Sequence, residues 1–447
     1  MKHLILAFVA AIGAGHQDQN SVALAVASFE DAWQTINDTF YDPTFGGVDW
    51  AAVRKELLPR ARAAKTADDV REVIRDMIGR LKQSHFELMS DSNSLPGPGM
   101  IPIDVRILAG ETLITRVVPD STASRAGLRP GQVVLEVDGV AAQAWRPTGA
   151  ARDARTQNQR HWENAYRALF GADGSAATMR VRDPDGKERS LSLRRDTGSR
   201  NLLTLGNVVL RNATLDSIRR KTPGGHDIGV ITFSMWMTPI SQPFAQAIDQ
   251  FRSADGLVID LRGNPGGLMA MINGISGHLI AEPVELGTMR TRGSEPLKFR
   301  VNPRLSTDDG RRVMPFAGPV AILVDEETAS TSEIFAGALQ SLGRVRVFGR
   351  QTMGQALPAS TKTLPNGDVL LHVVGDFVTT DGKPMEGKGV MPDEVVPLSI
   401  ANLAAGRDAD LDAALTWIDR ARRLLLCSSD LQGTQFLPRW VAPFMRP

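Results

Sequence analysis

The segment that most constrains this chain is Val320-Ala-Ile-Leu-Val324, followed by Asp325-Glu-Glu-Thr-Ala-Ser-Thr331 and then Ser332-Glu333-Ile334-Phe335. A short unbroken apolar run bounded by a polar turn reads as a buried strand. The apolar positions Ile334, Phe335, Ala338, Leu339 and Leu342 then recur at helical spacing. Strand, turn and helix in that order require an α/β layer structure. The pattern repeats from Asp227 onward, with compact strands at Ile228–Phe233, Gly256–Leu261 and Val345–Phe348. Helical stretches lie between them at Gln242–Arg252, Leu268–Ile280 and Glu333–Leu342. This alternation predicts a largely parallel sheet with helices packed on it.

The rest of the chain is organised differently. Phe29, Trp33, Ile36 and Phe40 mark one helix, with Ser28 and Asp31 as its expected cap. Thr66 with Asp69 caps a second, whose apolar stripe is Val70, Val73, Ile74, Met77, Ile78 and Leu81, and which ends just before Ser84-His85. Residues 94–99, Ser-Leu-Pro-Gly-Pro-Gly, read as a linker. Short β-type runs follow at Ile103–Leu108, Glu111–Val118, Val133–Val137, Met179–Arg182 and Ser190–Arg194, interrupted by a polar, helix-like insertion at 146–176. The expected division is 21–93 helical, 97–196 β-rich, 197–404 an α/β core, and 405–447 a helix carrying Leu411, Ala414, Leu415 and Ile418 with a tail.

The 447 residues carry 51 Lys+Arg against 50 Asp+Glu, a formal charge of +1. That balance gives no electrostatic drive toward phosphates, so nucleic acid is not an expected partner. A single cysteine, Cys427, excludes an intrachain disulfide and a cysteine-based zinc site. No HExxH or similar spacing is present, so neither metal nor cofactor is expected. The longest apolar run, Leu4–Gly15, is too short to span a bilayer. With Lys2 and His3 before it and small residues closing it, residues 1–20 read as a secretory signal peptide, which places the chain in a periplasm or outside the cell.

Two segments carry candidate chemistry. Ser332, in the first turn of its helix, would lie beside unpaired backbone N–H groups and the positive end of the helix dipole. There it could attack a carbonyl, or serve only as a helix cap. Arg262-Gly-Asn-Pro-Gly-Gly267 also follows a strand, and its glycines allow backbone amides close to a ligand. It matches neither GxGxxG nor GxxxxGK[ST], so nucleotide binding is not the reading.

Taken in order, these segments resemble the carboxy-terminal processing (tail-specific) serine protease family and its tricorn-core relatives. The likeness runs from about residue 28 to residue 398. It rests on Ala32-Trp33 with Tyr41–Trp50, Asp120–Gly131 through Val137-Asp-Gly139, Asp260–Gly267, Ala329–Ile334 and Glu386-Gly-Lys-Gly-Val-Met-Pro-Asp393. The resemblance implies a multidomain α/β protein: a crotonase/Clp-like core, an N-terminal helical domain and an inserted PDZ domain. It implies Ser332 as nucleophile and an oxyanion hole from a Gly266 or Gly267 amide with that of Glu333. The position of the family's catalytic lysine holds Gln355, which cannot take a proton.

Tricorn-type members instead use a Ser-His pair and a glutamate, present here as Ser84-His85 and Glu386. His85 would be the general base, with Glu386 against its ring and Ser84 supporting the carboxylate or the ring. Lys388 or Lys362 is the rival base. Ile101 and Ile103, in the PDZ carboxylate loop Gly99-Met-Ile-Pro-Ile103, and Gln355 are the expected substrate-binding positions, although Pro102 removes one N–H from that loop. The implied activity is a serine-type endopeptidase acting on exposed or unfolded segments of protein or peptide substrates. The rival is a non-catalytic PDZ-containing peptide-binding protein that has lost the Ser/Lys dyad. The sequence leaves a homo-oligomer open.

Overall fold

The computed structural model describes residues 3–90, 95–148, 154–196, 202–205, 208–211 and 213–429. The expected signal peptide is described only as backbone from residue 3, as part of the helix His3–Thr39. Residues 430–447 of the expected tail lie outside the described residues. No helix among the described residues is long and apolar enough to cross a membrane.

The first unit packs His3–Thr39 against helices Trp50–Ala63 and Ala67–Gly79. Phe29, Ile36, Phe40, Leu57, Ile74 and Met77 form its core. Thr66 and Asp69 make the expected reciprocal cap. Ser28 does not cap: it lies inside the long helix, donates back to Leu24 O at 2.9 Å and accepts from Asn366 N at 3.1 Å. The helix runs through it because the apolar spacing extends upstream to Ala25.

This unit is fused to the hairpin of strands Ala359–Thr363 and Val369–Val373, whose residues Leu364, Leu370 and Val373 share its core. Arg71 grips the fully buried Asp368 with two bonds, 2.8 and 2.9 Å long. The strand Glu87–Met89 then joins the same sheet against Val369–Leu371. His85 is therefore held between a helical bundle and a sheet that belongs to a distant part of the sequence.

The β-rich unit is a sheet in the order Ile103–Leu108, Glu111–Val117, Val133–Val137, Ala176–Arg182, Glu188–Arg194, all antiparallel. Its core holds Ile101, Ile103, Val105, Ile114, Val134 and Val181. The polar insertion is the helix Ala154–Ala168. The described part of the linker is packed rather than free: Gly99–Met100 pairs with Phe170–Gly171, and a Cβ on Gly99 would lie 2.8 Å from Ala172 O.

The core sheet runs Leu215–Lys221, Asp227–Phe233, Gly256–Asp260, Val320–Val324, Arg346–Gly349, Glu394–Val395, parallel except for its first pair. Phe244, Ile248, Ile272, Phe335 and Leu339 cover one face. The terminal helix Ala409–Ser429 closes the other with Ala414, Leu415 and Ile418, so it completes the core instead of standing apart. The helix expected over Leu268–Ile280 is cut to Met271–Ser276. Its first residues instead continue the glycine turn, with Leu268 N bonded to Trp236 O at 2.7 Å.

Candidate active site

Two loops at the carboxyl ends of adjacent parallel strands build the centre, the usual ligand position in such sheets. They are stitched together before any reacting group is placed. Asp325 Oδ1 accepts from Gly263 N at 2.8 Å, Thr328 Oγ1 donates to Leu261 O at 2.8 Å, and Ala329 N donates to Asn264 O at 3.1 Å. Asn264 Nδ2 in turn donates to Phe233 O at 2.8 Å. These side chains replace the ladder that the strands lose where they end.

At the end of the second loop stands Ser330, with φ 56° and ψ −122°, immediately before the helix Thr331–Ser341. A non-glycine residue in this region is strained and persists only where its surroundings impose it. Its N–H is shared between Gln355 O at 2.8 Å and Glu333 Oε2 at 3.0 Å. The Glu333 carboxylate also accepts from Gly354 N at 2.7 Å, from Gln355 N at 2.9 Å and from the Thr352 hydroxyl. Burial pushes this carboxyl up to about 7 against the pull of those donors.

The expected pairing of His85 with Ser332 does not form. Ser332 is fully buried and accepts the Trp236 indole N–H at 2.8 Å, because its place in the helix turns it into the core. His85 Nε2 lies 3.0 Å from Ser330 Oγ instead. Ser84 Oγ sits 2.8 Å from His85 Nδ1 and donates to Glu386 Oε2 at 2.9 Å. Glu386 also accepts from Ser84 N at 3.2 Å and Ala356 N at 3.0 Å. It bonds Ser84, not the ring as expected. The bond to Glu386 occupies the Ser84 proton, so Ser84 Oγ accepts Nδ1–H from His85. That leaves a lone pair on Nε2 facing Ser330. Burial lowers the His85 pKa to about 4, which keeps the ring neutral.

Two of the expected oxyanion donors are already used. Gly266 N donates to Asn264 Oδ1 at 3.0 Å, and Glu333 N to Ser330 O at 2.9 Å. Among the described residues no hydrogen bond engages the N–H of Gly267 or of Thr331. Thr331 Oγ1 ties Gly267 O at 2.7 Å, and a Cβ on Gly266 would lie 2.6 Å from Ser330 Cβ. Gly266 is needed because the turn passes directly against the serine, and Gly267 because it passes against the Trp236 carbonyl.

Of the rival bases, Lys362 is committed to Asp31 at 2.6 Å and Thr35 at 3.0 Å, and Lys388 is exposed. Gln355 lies at the site but donates to Gln159 Oε1 at 3.0 Å. Ile101 and Ile103 are fully buried in the β-rich unit and face no site. Arg155, unforeseen in sequence, donates to Lys388 O at 3.1 Å and to Gly387 O, beside Glu386. Among the described residues no group of His, Cys, Asp and Glu could hold a metal ion.

Comparison with known proteins agrees with this architecture. Residues 227–396 match the model for peptidase family S41, residues 27–79 the tricorn protease C1 domain and residues 113–153 the PDZ domain. A carboxyl-terminal-processing protease from Picosynechococcus sp. strain PCC 7002 is 27% identical over 401 residues, covering 86% of this chain and 87% of its own. One from Synechocystis sp. strain PCC 6803 is 27% identical over 399 residues, covering 86% and 84%. The structure of the photosystem II D1 C-terminal processing protease superposes with a TM-score of 0.55 at 19% identity, covering 86% of this chain and 98% of its own, and so shares the fold. With an N-terminal helical domain, a PDZ domain and a serine-bearing α/β core in this order, the chain is a serine peptidase whose core carries the peptidase family S41 domain and which is similar over most of its length to the carboxyl-terminal-processing proteases.

Proposed function

We propose that this peptidase cleaves exposed or unfolded polypeptide segments with Ser330 as nucleophile and His85 as general base, held through Ser84 by Glu386. The observation that carries the reading is the 3.0 Å approach of His85 Nε2 to Ser330 Oγ at a strained strand-to-helix turn. His85 takes the hydroxyl proton as Ser330 Oγ bonds to the substrate carbonyl carbon. The developing oxyanion is received by the N–H groups of Gly267 and Thr331. The imidazolium then donates its proton to the departing amine as the peptide C–N bond breaks. Water, deprotonated by the same ring, releases the acyl group from Ser330. Glu386 stabilises the transient charge across the Ser84 hydroxyl. A non-catalytic binding role is not favoured, since such a role needs no such chain of bonds. Export through residues 1–20 belongs to the same reading, and amino-terminal sequencing of secreted protein tests it: an intact Met1 would overturn it.

The deciding experiment is covalent labelling with a fluorophosphonate followed by peptide mapping. The adduct is expected on Ser330; an adduct on Ser332, or none on folded protein between pH 6 and 9, overturns the assignment.

A further inference from the structure

A PDZ module ordinarily takes a peptide as an added strand on an exposed sheet edge, with loop amides gathering its carboxylate. Here the edge strand is Ile103–Leu108, paired on one side with Glu111–Val117. Ile114, opposite Val105, spends its N–H on Gln132 O and its carbonyl on Gly131 N, away from Val105. By the alternation of antiparallel pairs, Val105 then turns its carbonyl to the open edge. That carbonyl is already taken, by Trp162 Nε1 at 3.0 Å and by Arg106 NH1 at 2.8 Å. Ile103 N donates to Ile101 O at 2.8 Å. In the carboxylate loop Met100 N is bonded to Asp196 O, Ile101 N to Leu169 O, and Pro102 has no N–H. A terminal carboxylate arriving here would find its donors committed.

The same strand reaches into the catalytic unit. The Arg106 guanidinium is buried, with Nε 2.8 Å and NH2 2.6 Å from Asp325 Oδ2. Gly263 makes room for it: a Cβ there would stand 2.8 Å from Arg106 NH2. Asp325 opens the loop that ends at Ser330 and holds Gly263 N with its other oxygen. A charge-assisted contact in which two guanidinium N–H groups share one carboxylate oxygen holds the loop in place, and breaking it leaves a buried carboxylate short of a partner.

We propose that the PDZ module is a fixed brace and not a receptor for substrate tails: the Val105 carbonyl of its edge strand and the amides of its carboxylate loop are taken from within, and Arg106 acts as a positioning residue for the serine loop through Asp325. Substrate choice then follows the internal segment that enters the site and ignores the terminal carboxylate. This rests on Ser330 as nucleophile, but its first test does not. Full-length protein carrying Ser330→Ala is titrated with one fluorescent peptide in two forms, free acid and C-terminal amide. Dissociation constants within threefold of each other are expected; a free acid bound more than threefold tighter overturns the proposal. In the active protein, Arg106→Met is expected to lower kcat at least tenfold with KM within threefold, and Arg106→Lys to recover part of it. An unchanged kcat overturns the bracing role. Should Arg106→Met fail to fold, Arg106→Lys carries the kinetic test: kcat equal to wild type at equal stability overturns it. Failure of the Ser330 reading would show separately, as absent fluorophosphonate labelling of the wild type.

Discussion

Replacing Ser84 with alanine cuts the bridge between Glu386 and the His85 ring while leaving both residues in the chain. The hydroxyl is the sole bridge in the described network: 2.8 Å to His85 Nδ1 on one side and 2.9 Å to Glu386 Oε2 on the other. Its loss leaves Glu386 with the Ser84 and Ala356 backbone amides and leaves His85 Nδ1–H without its acceptor. A hydrogen bond to a charged group is worth about 1.5–3 kcal/mol, and this one is strengthened when the ring becomes imidazolium. At 1.36 kcal/mol per decade that is roughly a 10- to 150-fold fall in kcat. Because the bridge acts on the transition state and not on substrate binding, KM is expected to stay within about threefold. Ser84→Thr, which keeps the hydroxyl, is expected to recover most of the rate. The assay is steady-state hydrolysis of a fluorogenic peptide, with thermal unfolding monitored to show that each variant is folded. A Ser84→Ala enzyme within threefold of wild type would refute the relay and return Glu386 to a structural role in its turn.

Two further outcomes follow from the same geometry. Gly267 holds φ 139°, and a Cβ there would run into the Trp236 carbonyl oxygen, so Gly267→Ala must displace the amide proposed to receive the oxyanion. Its kcat is expected to fall about 100-fold or more in protein with a native circular dichroism spectrum, and a loss under threefold would remove Gly267 from the oxyanion hole. The base must be neutral to accept a proton, and burial lowers the His85 pKa to about 4. Activity is therefore retained as pH falls through 6.5 and lost only nearer 4; a kcat/KM profile with its acid limb at 6.5 would contradict this.

Much of the fold could be read from residue patterns because apolar runs and caps are local. Ile103–Leu108, Val133–Val137 and Val320–Val324 lie where their sequence predicts. The strand Leu215–Lys221 was not foreseen, since it is an edge strand of alternating, mostly polar residues with little to bury. The hairpin that fuses the helical unit to the core was equally hidden, because what joins them is contact between Arg71 and Asp368, far apart in sequence.

At the site, Ser84, His85 and Glu386 were singled out from the sequence and the structure brings them together, whereas the serine beside His85 is Ser330, two residues before the expected Ser332. Ser330 and Ser332 share one short motif, and residue type does not distinguish them. The spacing does: Ser330-x-x-Glu333 has the form of a capping box, which marks Ser330 as the residue at the strand-to-helix turn. Ser332, two places into the helix, faces Trp236. The self-occupied PDZ edge was beyond reach of the sequence, because it depends on where Trp162 and Arg106 are brought by folding.

The most direct test of the central claim is peptide hydrolysis by Ser330→Ala beside Ser332→Ala. The account predicts that Ser330→Ala loses at least four orders of magnitude in kcat with its thermal stability intact. Ser332→Ala should keep kcat within about tenfold while losing roughly 1–3 kcal/mol of stability, as the buried Trp236 N–H loses its acceptor. The reverse pattern, an active Ser330→Ala and a dead but stable Ser332→Ala, would contradict it.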